Sequence, residues 1–304
     1  KSRRVKKMSE NKMNINWYPG HMAKTKRQIQ EDLKLIDVVV EILDARIPIS
    51  SRNPDIAEYT KNKKKVIVLN KYDLADEKQN AKWIEHFKEN GIEAVLVNSN
   101  SGEGINKAIS KIEEVYSSGK SQYENKGRIG KAIRVMILGI PNVGKSSFIN
   151  RISKKNSATV GNKPGVTRQK QWIRINQNIE LLDTPGVLWP KFQSEEVALN
   201  LAYTGSIKDD VLETIEIGFN LLRLLIDKHL DKLLERYKLN KEEVDEIYNL
   251  DIAENEKVLE VMHLIGKRRG ALISGGNIDE EKVAKIILDD FRSGKIGRIT
   301  LEEI

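Results

Sequence analysis

The sequence predicts an α/β fold built on a mainly parallel sheet, followed by a small all-α domain. Three observations predict it. Apolar strand-like runs alternate with helical periodicities across residues 22–182, the signature of βαβ units. One of those strands runs into a glycine-rich loop that opens a helix. Strand patterning then ceases after residue 205 and only helical periodicity remains.

The elements follow in order. Ile29, Leu33 and Ile36 recur at helical spacing, so 22–36 reads as a helix. Residues 37–43 (DVVVEIL) read as a buried strand, 53–60 as a short helix and 66–69 as a strand. A helix at 77–89, a strand at 94–97 and a helix at 104–116 continue the alternation. Strands this continuously apolar belong to a parallel sheet covered on both faces. Residues 117–130, rich in Ser, Gly, Lys and Asn, form a connector. A strand at 132–138, a helix at 145–153, a polar segment through Arg168, and strands at 172–175 and 179–182 complete the first domain.

Beyond it, four amphipathic helices are marked by Ile215/Phe219/Leu222/Ile226, Val244/Ile247/Tyr248, Val258/Val261/Met262/Ile265 and Val283/Ile286/Ile287/Phe291. The expected organisation is therefore a disordered basic arm at 1–13, with Met8 and Met13 as alternative starts. A nucleotide-binding domain follows at 14–205 and an all-helical domain at 206–304.

A chain of 304 residues fits about two domains. No run approaches the ~20 apolar residues of a spanning helix, and there is no secretory h-region, so no membrane partner is expected. Cysteine is absent, which excludes disulfides and thiolate metal sites and fits a reducing compartment; the expected location is cytoplasmic. The net charge of +8 favours a polyanionic partner, although charge alone leaves plain solubility as an equal alternative.

The strongest chemical signal is Gly139-Ile-Pro-Asn-Val-Gly144-Lys145-Ser146, a G-x-x-x-x-G-K-S loop between a strand and a helix. Backbone N–H groups from Asn142 through Ser147, Val143 and Gly144 included, would wrap phosphates at the positive end of the following helix. Lys145 would reach the β- and γ-phosphates and the Ser146 hydroxyl would hold Mg²⁺. Asp183-Thr-Pro-Gly186 follows an apolar strand. There Asp183 suits the Mg²⁺ shell and the Gly186 amide suits the γ-phosphate. Thr167, in Pro164-Gly-Val-Thr167, is a further Mg²⁺ oxygen; its alternative is an ordinary Pro-Gly turn.

Base choice is expected from Asn70-Lys71-Tyr-Asp73 at the end of a strand. A buried Asp73 carboxylate would accept from guanine N1–H and the exocyclic amino group, donors that adenine does not present there. Asn98-Ser99-Asn-Ser is the second base-contact loop. The bound species is then GTP or GDP.

The order of these motifs is unusual. The base motifs at 70–73 and 98–101 precede the phosphate loop at 139–146, where GTPases ordinarily place them after it. Permutation leaves the strand ends facing one crevice, so the site can be intact. The fold class is accordingly a P-loop NTPase in the form of a circularly permuted Ras-like G domain.

Together these residues resemble the ribosome biogenesis GTPase A family over nearly the whole chain. The resemblance extends to Trp17-Tyr-Pro-Gly-His21-Met-Ala-Lys24, Asp44-Ala-Arg46-Ile-Pro48, Ser51-Arg-Asn-Pro54, Leu188-Trp-Pro-Lys191 and Ser274-Gly-Gly276. It implies a late assembly factor for the large ribosomal subunit; GTP hydrolysis stimulated by the particle, rRNA and ribosomal proteins as partners, and a monomeric chain are the accompanying expectations. It also implies an RNA-binding helical domain.

Val187 stands where many GTPases carry a water-orienting glutamine, and valine can neither orient nor deprotonate water. By resemblance His21 is the catalytic candidate; the alternative is a structural histidine at a helix start. Asn142 resembles the asparagine that helps bind K⁺ in related GTPases, against a plain turn residue. Basic clusters at Lys61/Lys63/Lys64/Lys65, Lys267/Arg268/Arg269 and Arg292/Lys295/Arg298 are the expected rRNA contacts, with the acidic stretch 241–260 turned away. Two other readings stay open: an RNA-binding GTP/GDP sensor with negligible turnover, and a GTPase switch for a protein effector.

Overall fold

The computed structural model describes residues 21–118, 132–155, 172–184, 186, 188, 192–207 and 214–304. Contacts divide the chain into two units: Tyr18–Pro190 together with Ile299–Ile304, and Lys191–Arg298.

The first unit is a six-stranded sheet of order β3-β2-β1-β4-β6-β5, with β1 Val38–Asp44, β2 Lys64–Asn70, β3 Glu93–Val97, β4 Ile133–Leu138, β5 Trp172–Arg174 and β6 Ile179–Asp183. All neighbours pair in parallel except edge strand β5, antiparallel to β6. Every residue of β1 is buried, as a central strand covered on both faces requires.

On one face Val39, Met136, Leu138 and Leu182 pack against Ile29 and Leu33 of helix α1 (His21–Leu33), with Ile36 and Ile56 completing the cluster. Leu43, Ile67 and Leu69 pack against Trp83 and Phe87 of a helix at Glu77–Glu89. The opposite face buries Val40, Ile42, Val66, Val68, Val135 and Ile137 completely. Helix starts are set by short polar caps. Asn53 accepts from the Asp55 N–H ahead of Pro54–Tyr59, and Asp76 accepts from Lys78 and Gln79 N–H ahead of Glu77–Glu89.

The strand order reverses beside β1, whose neighbours are β2 and β4. In open α/β sheets the ligand crevice lies at the strands' carboxyl ends at such a point. Asp44, Asn70, Val97, Leu138 and Asp183 end the five parallel strands, so the motif loops all leave from that edge. Chain order is irrelevant to this geometry.

The second unit is helical: Glu195–Tyr203, Thr214–Lys228, Leu230–Tyr237, Lys241–Tyr248, Glu254–Arg269 and Glu280–Arg292. Its boundary corrects the expected one at 205/206. Helix Glu195–Tyr203 belongs here because Ala198, Leu201, Ala202 and Tyr203 are buried. Arg292 also caps that helix, donating to the carbonyls of Tyr203 at 3.1 Å and Ala202 at 2.8 Å. At the other end, Ile299–Ile304 returns to the first unit rather than closing the second. Among the described residues no helix is long and apolar enough to cross a membrane.

Candidate nucleotide site

The phosphate loop leaves β4 at Gly139 and ends at Lys145, first residue of helix Lys145–Lys155. Asn142 and Gly144 both adopt positive φ, 60° and 93°. Gly144 is required twice over. Its φ disfavours an L side chain, and a Cβ there would lie 2.2 Å from Asn70 Nδ2. Ser146 and Ser147 are exposed in the first helical turn, where the leading N–H groups have no intrahelical partner and suit an anion. Gly186 permits a second close approach: a Cβ on it would sit 2.9 Å from the Pro141 nitrogen. The 183–186 segment is further pinned by the buried Thr184, whose Oγ1 donates to the Ile137 carbonyl at 2.6 Å.

The base-side loops are stitched to this cradle. Asn70 Nδ2 donates to the Val143 carbonyl at 2.7 Å, while its Oδ1 accepts from Ser99 N–H at 3.0 Å and Ser99 Oγ at 2.8 Å. One buried amide thereby joins three motifs. Asn98 Oδ1 accepts from the N–H groups of Asn100 and Ser101, which closes the serine loop on itself. Arg151, from the helix after the phosphate loop, donates to the carbonyls of Ser99 and Asn100.

Lys71 takes the left-handed conformation at the end of β2. Its Nζ donates to the Asn142 carbonyl at 2.7 Å and to Asp44 Oδ2 at 2.9 Å. Asp44 is fully buried and also receives Arg46 Nε at 2.9 Å and Nη2 at 2.7 Å. Burial alone would raise the Asp44 carboxyl. The Arg46 guanidinium and the Lys71 ammonium outweigh it and hold the group well below the usual carboxylate range. Glu41, on the same strand and equally buried, goes the other way. Its cations, Lys65 and Arg52, stand 3.6 Å off, its oxygens make no hydrogen bond, and burial pushes it up. The two closely held cations outweigh burial at Asp44, whereas at Glu41 the more distant cations do not.

Two expectations are corrected. Asp73 was expected to be buried; it is exposed, on a 3₁₀ turn (Tyr72–Leu74) that carries it beyond the strand end. The cluster Lys61/Lys63/Lys64/Lys65 is not a free basic face. Lys61 pairs with Glu58, Lys63 donates to the Ile36 carbonyl, Lys64 to the Tyr116 carbonyl, and Lys65 faces Glu41. Thr167, Val187 and the side chains of His21 and Asp183 lie outside the described residues; in backbone register Asp183 pairs with Ile137.

In the sequence Asp44 and Arg46 stand out only through a resemblance, Thr184 only as a member of the Asp183–Gly186 motif, and Arg151 carries no signal. An acid and an arginine two apart at a strand end were the available signal for the first pair.

Family models for "50S ribosome-binding GTPase" and "RsgA GTPase" match residues 134–262 and 55–193. Ribosome biogenesis GTPase A of Bacillus pumilus is 44% identical over 291 residues, covering 96% of this chain and 99% of that protein. Its Thermotoga maritima counterpart is 31% identical over 288 residues, covering 95% and 94%. Mitochondrial ribosome-associated GTPase 1 of Bos taurus is 35% identical over 300 residues, covering 94% and 88%. The crystal structure of GNP-bound YlqF from T. maritima superposes with a TM-score of 0.62 at 26% identity, covering 92% of this chain and 98% of that one. Site geometry, permuted motif order and near-full-length identity agree: the chain belongs to the ribosome biogenesis GTPase A family, and it is a GTPase of ribosome biogenesis.

Proposed function

We propose that this GTPase acts in late assembly of the large ribosomal subunit, hydrolysing GTP to GDP and phosphate when docked on the ribosomal particle. For nucleotide binding the observation that supports the reading is the Asn70 bridge, which makes base loop, serine loop and phosphate loop one hydrogen-bonded cradle; for the ribosomal role it is the likeness to ribosome biogenesis GTPase A and to the 50S ribosome-binding GTPase model. In this reading Asn70, Lys71, Asp73, Asn98 and Ser99 hold the guanosine end. Val143, Gly144, Lys145, Ser146, Ser147 and Gly186 hold the phosphates.

The donors fit Mg²⁺. Ser146 sits in the first turn of the helix after β4, Asp183 ends the neighbouring strand β6, and both are hard oxygen ligands. Thr167 is the proposed third oxygen. Bound there, Mg²⁺ would offset charge developing on the phosphates. Asn142 is the proposed K⁺ ligand beside them. His21, first residue of α1, is the proposed water-positioning group in place of the glutamine that Val187 replaces. In the helical unit, Arg236, Arg269 and Lys295 are the proposed rRNA contacts. The proposed setting is a monomer in the cytoplasm.

The test is GTP turnover in potassium buffer, with and without large ribosomal subunits. A rise of about tenfold, worth about 1.4 kcal/mol of barrier, is expected, and His21→Ala should remove it. A stimulated rate indifferent to His21→Ala sinks the His21 role. No rise at all favours a second reading, an RNA-binding sensor of GTP against GDP, to which Val187 points because it cannot activate water.

A further inference from the structure

Residues 299–304 rejoin the GTPase unit directly after Arg298 of the helical unit. They do so at particular loops. Ile299 N–H donates to the Leu74 carbonyl at 2.9 Å, and Asp76 N–H donates to Thr300 Oγ1 at 3.0 Å. Leu301 N–H donates to the Arg46 carbonyl at 2.8 Å. Trp83 Nε1 donates to the Glu302 carbonyl at 2.9 Å. The Glu302 carboxylate accepts from the N–H groups of Ile49 at 2.6 Å and Ser50 at 2.9 Å, and from Ser50 Oγ. Ile299, Thr300 and Leu301 are buried.

These contacts bracket the base-reading turn. Tyr72–Leu74 carries Asp73; its internal bonds are those of a single 3₁₀ turn, Leu74 N–H to the Lys71 carbonyl and Ala75 N–H to the Tyr72 carbonyl, and Asn80 Nδ2 of the following helix donates to the Tyr72 carbonyl at 2.9 Å. Leu74 O and Asp76 N–H are the groups that the segment takes up on the far side. The other anchor is the loop after β1. Arg46 is gripped through its carbonyl, its guanidinium grips Asp44, and Asp44 grips Lys71, the residue two before Asp73.

We infer that residues 299–304 are a strap that positions Asp73 for guanine, with Glu302 and Thr300 as positioning residues rather than catalytic ones. An exposed carboxylate on a one-turn loop reads a base tightly only if the loop is already held in place, because ordering it on binding costs affinity. The strap supplies that order from outside the nucleotide motifs. Coupling of this kind is reciprocal, so guanine nucleotide also holds the strap down. The inference rests on the reading of Asn70–Asp73 as the base site.

The experiment measures binding of GDP and IDP, with Mg²⁺, to the full chain by calorimetry. IDP keeps N1–H but lacks the exocyclic amino group that Asp73 would accept from, so the GDP/IDP ratio reports Asp73 alignment. With one hydrogen-bonded charge removed, Glu302→Ala should weaken GDP about tenfold and IDP only about twofold. Glu302→Gln, which keeps a neutral acceptor, should recover part of the ratio. GDP and IDP weakening together, or neither weakening, overturns the strap's role in specificity. If Glu302→Ala fails to fold, Thr300→Val removes one hydrogen bond at constant shape, and an unchanged GDP/IDP ratio there overturns it equally. A wild type that binds GDP no better than IDP removes the base reading itself, and the strap role with it.

Discussion

Asp44 in the GTPase unit and Asp290 in the helical unit are both buried carboxylates gripped by arginine, and they dispose of their cations differently. Asp44 receives Arg46, itself only 1% exposed, and Lys71, whose remaining reach goes to the Asn142 carbonyl. Its charges are consumed in fixing one loop against another. Asp290 receives Arg236 through two hydrogen bonds of 2.8 and 2.9 Å, with Arg269 at 3.7 Å and Lys295 at 3.8 Å. Those three side chains keep 26, 30 and 58% of their surface in solvent, and Arg269 lies over the Tyr237 ring. One buried negative charge there organises several exposed positive ones and leaves them in excess. The same pair chemistry makes rigid wiring when the arginine is enclosed and a presented basic surface when it is not.

The largest expected effect separates the two. Asp44→Asn leaves Arg46 buried beside a neutral amide, which for a broken buried pair costs about 3–5 kcal/mol of unfolding free energy. The pH dependence follows from the direction of the shift. Because the folded carboxyl lies below its ordinary 3.8, its contribution is complete above that pH and is lost as pH falls. Urea unfolding should show wild-type stability declining below about pH 4, with that part of the decline absent in Asp44→Asn. A variant as stable as wild type at pH 7 would mean the Asp44 network is not the wiring described.

Asp290→Asn should cost less, about 2 kcal/mol, because water can reach the three cations it releases. GDP affinity should be unchanged, since the nucleotide network lies wholly within the other unit. Loss of GDP binding in a folded Asp290→Asn protein would break the distinction.

The comparison also explains what could be read without a structure. The placement of Gly144 and Lys145 between strand and helix, and of Asn70 and Ser99 at strand ends, was legible because strand–loop–helix context and residue type together mark such loops. Asp44 was hidden by its setting, since in DVVVEILD it is simply where an apolar run stops. The strap was invisible because ITLEEI has no helical or glycine-marked pattern, and its partners lie far away: Thr300 bonds a backbone 224 residues back. Helix Glu195–Tyr203 was missed because its apolar residues run almost consecutively instead of forming one stripe. Helix Leu230–Tyr237 was missed because only His229 separates it from the helix before. The burial expected for Asp73 failed because the chain leaves β2 through a left-handed Lys71, which turns the next residues outward.

The smallest expected effect is the sharpest, because it contrasts adjacent arginines. Arg268 Nη2 donates to both carboxylate oxygens of Glu243 at 2.8 Å, so its charge is matched at the surface by a residue of the acidic stretch. Arg269 shares Asp290 with two other cations and is not matched. Arg268→Gln should therefore change stability little, because an exposed pair is screened by solvent. It should also leave the salt dependence of rRNA-fragment binding nearly unchanged, because Glu243 is then released as Arg268 is lost. Arg269→Gln should lower the slope of log affinity against log salt by about one, the signature of one phosphate contact removed. Equal slopes for the two variants would show that Asp290 does not single out a phosphate-facing surface. A drop for Arg268→Gln alone would place that surface on the Glu243 side instead.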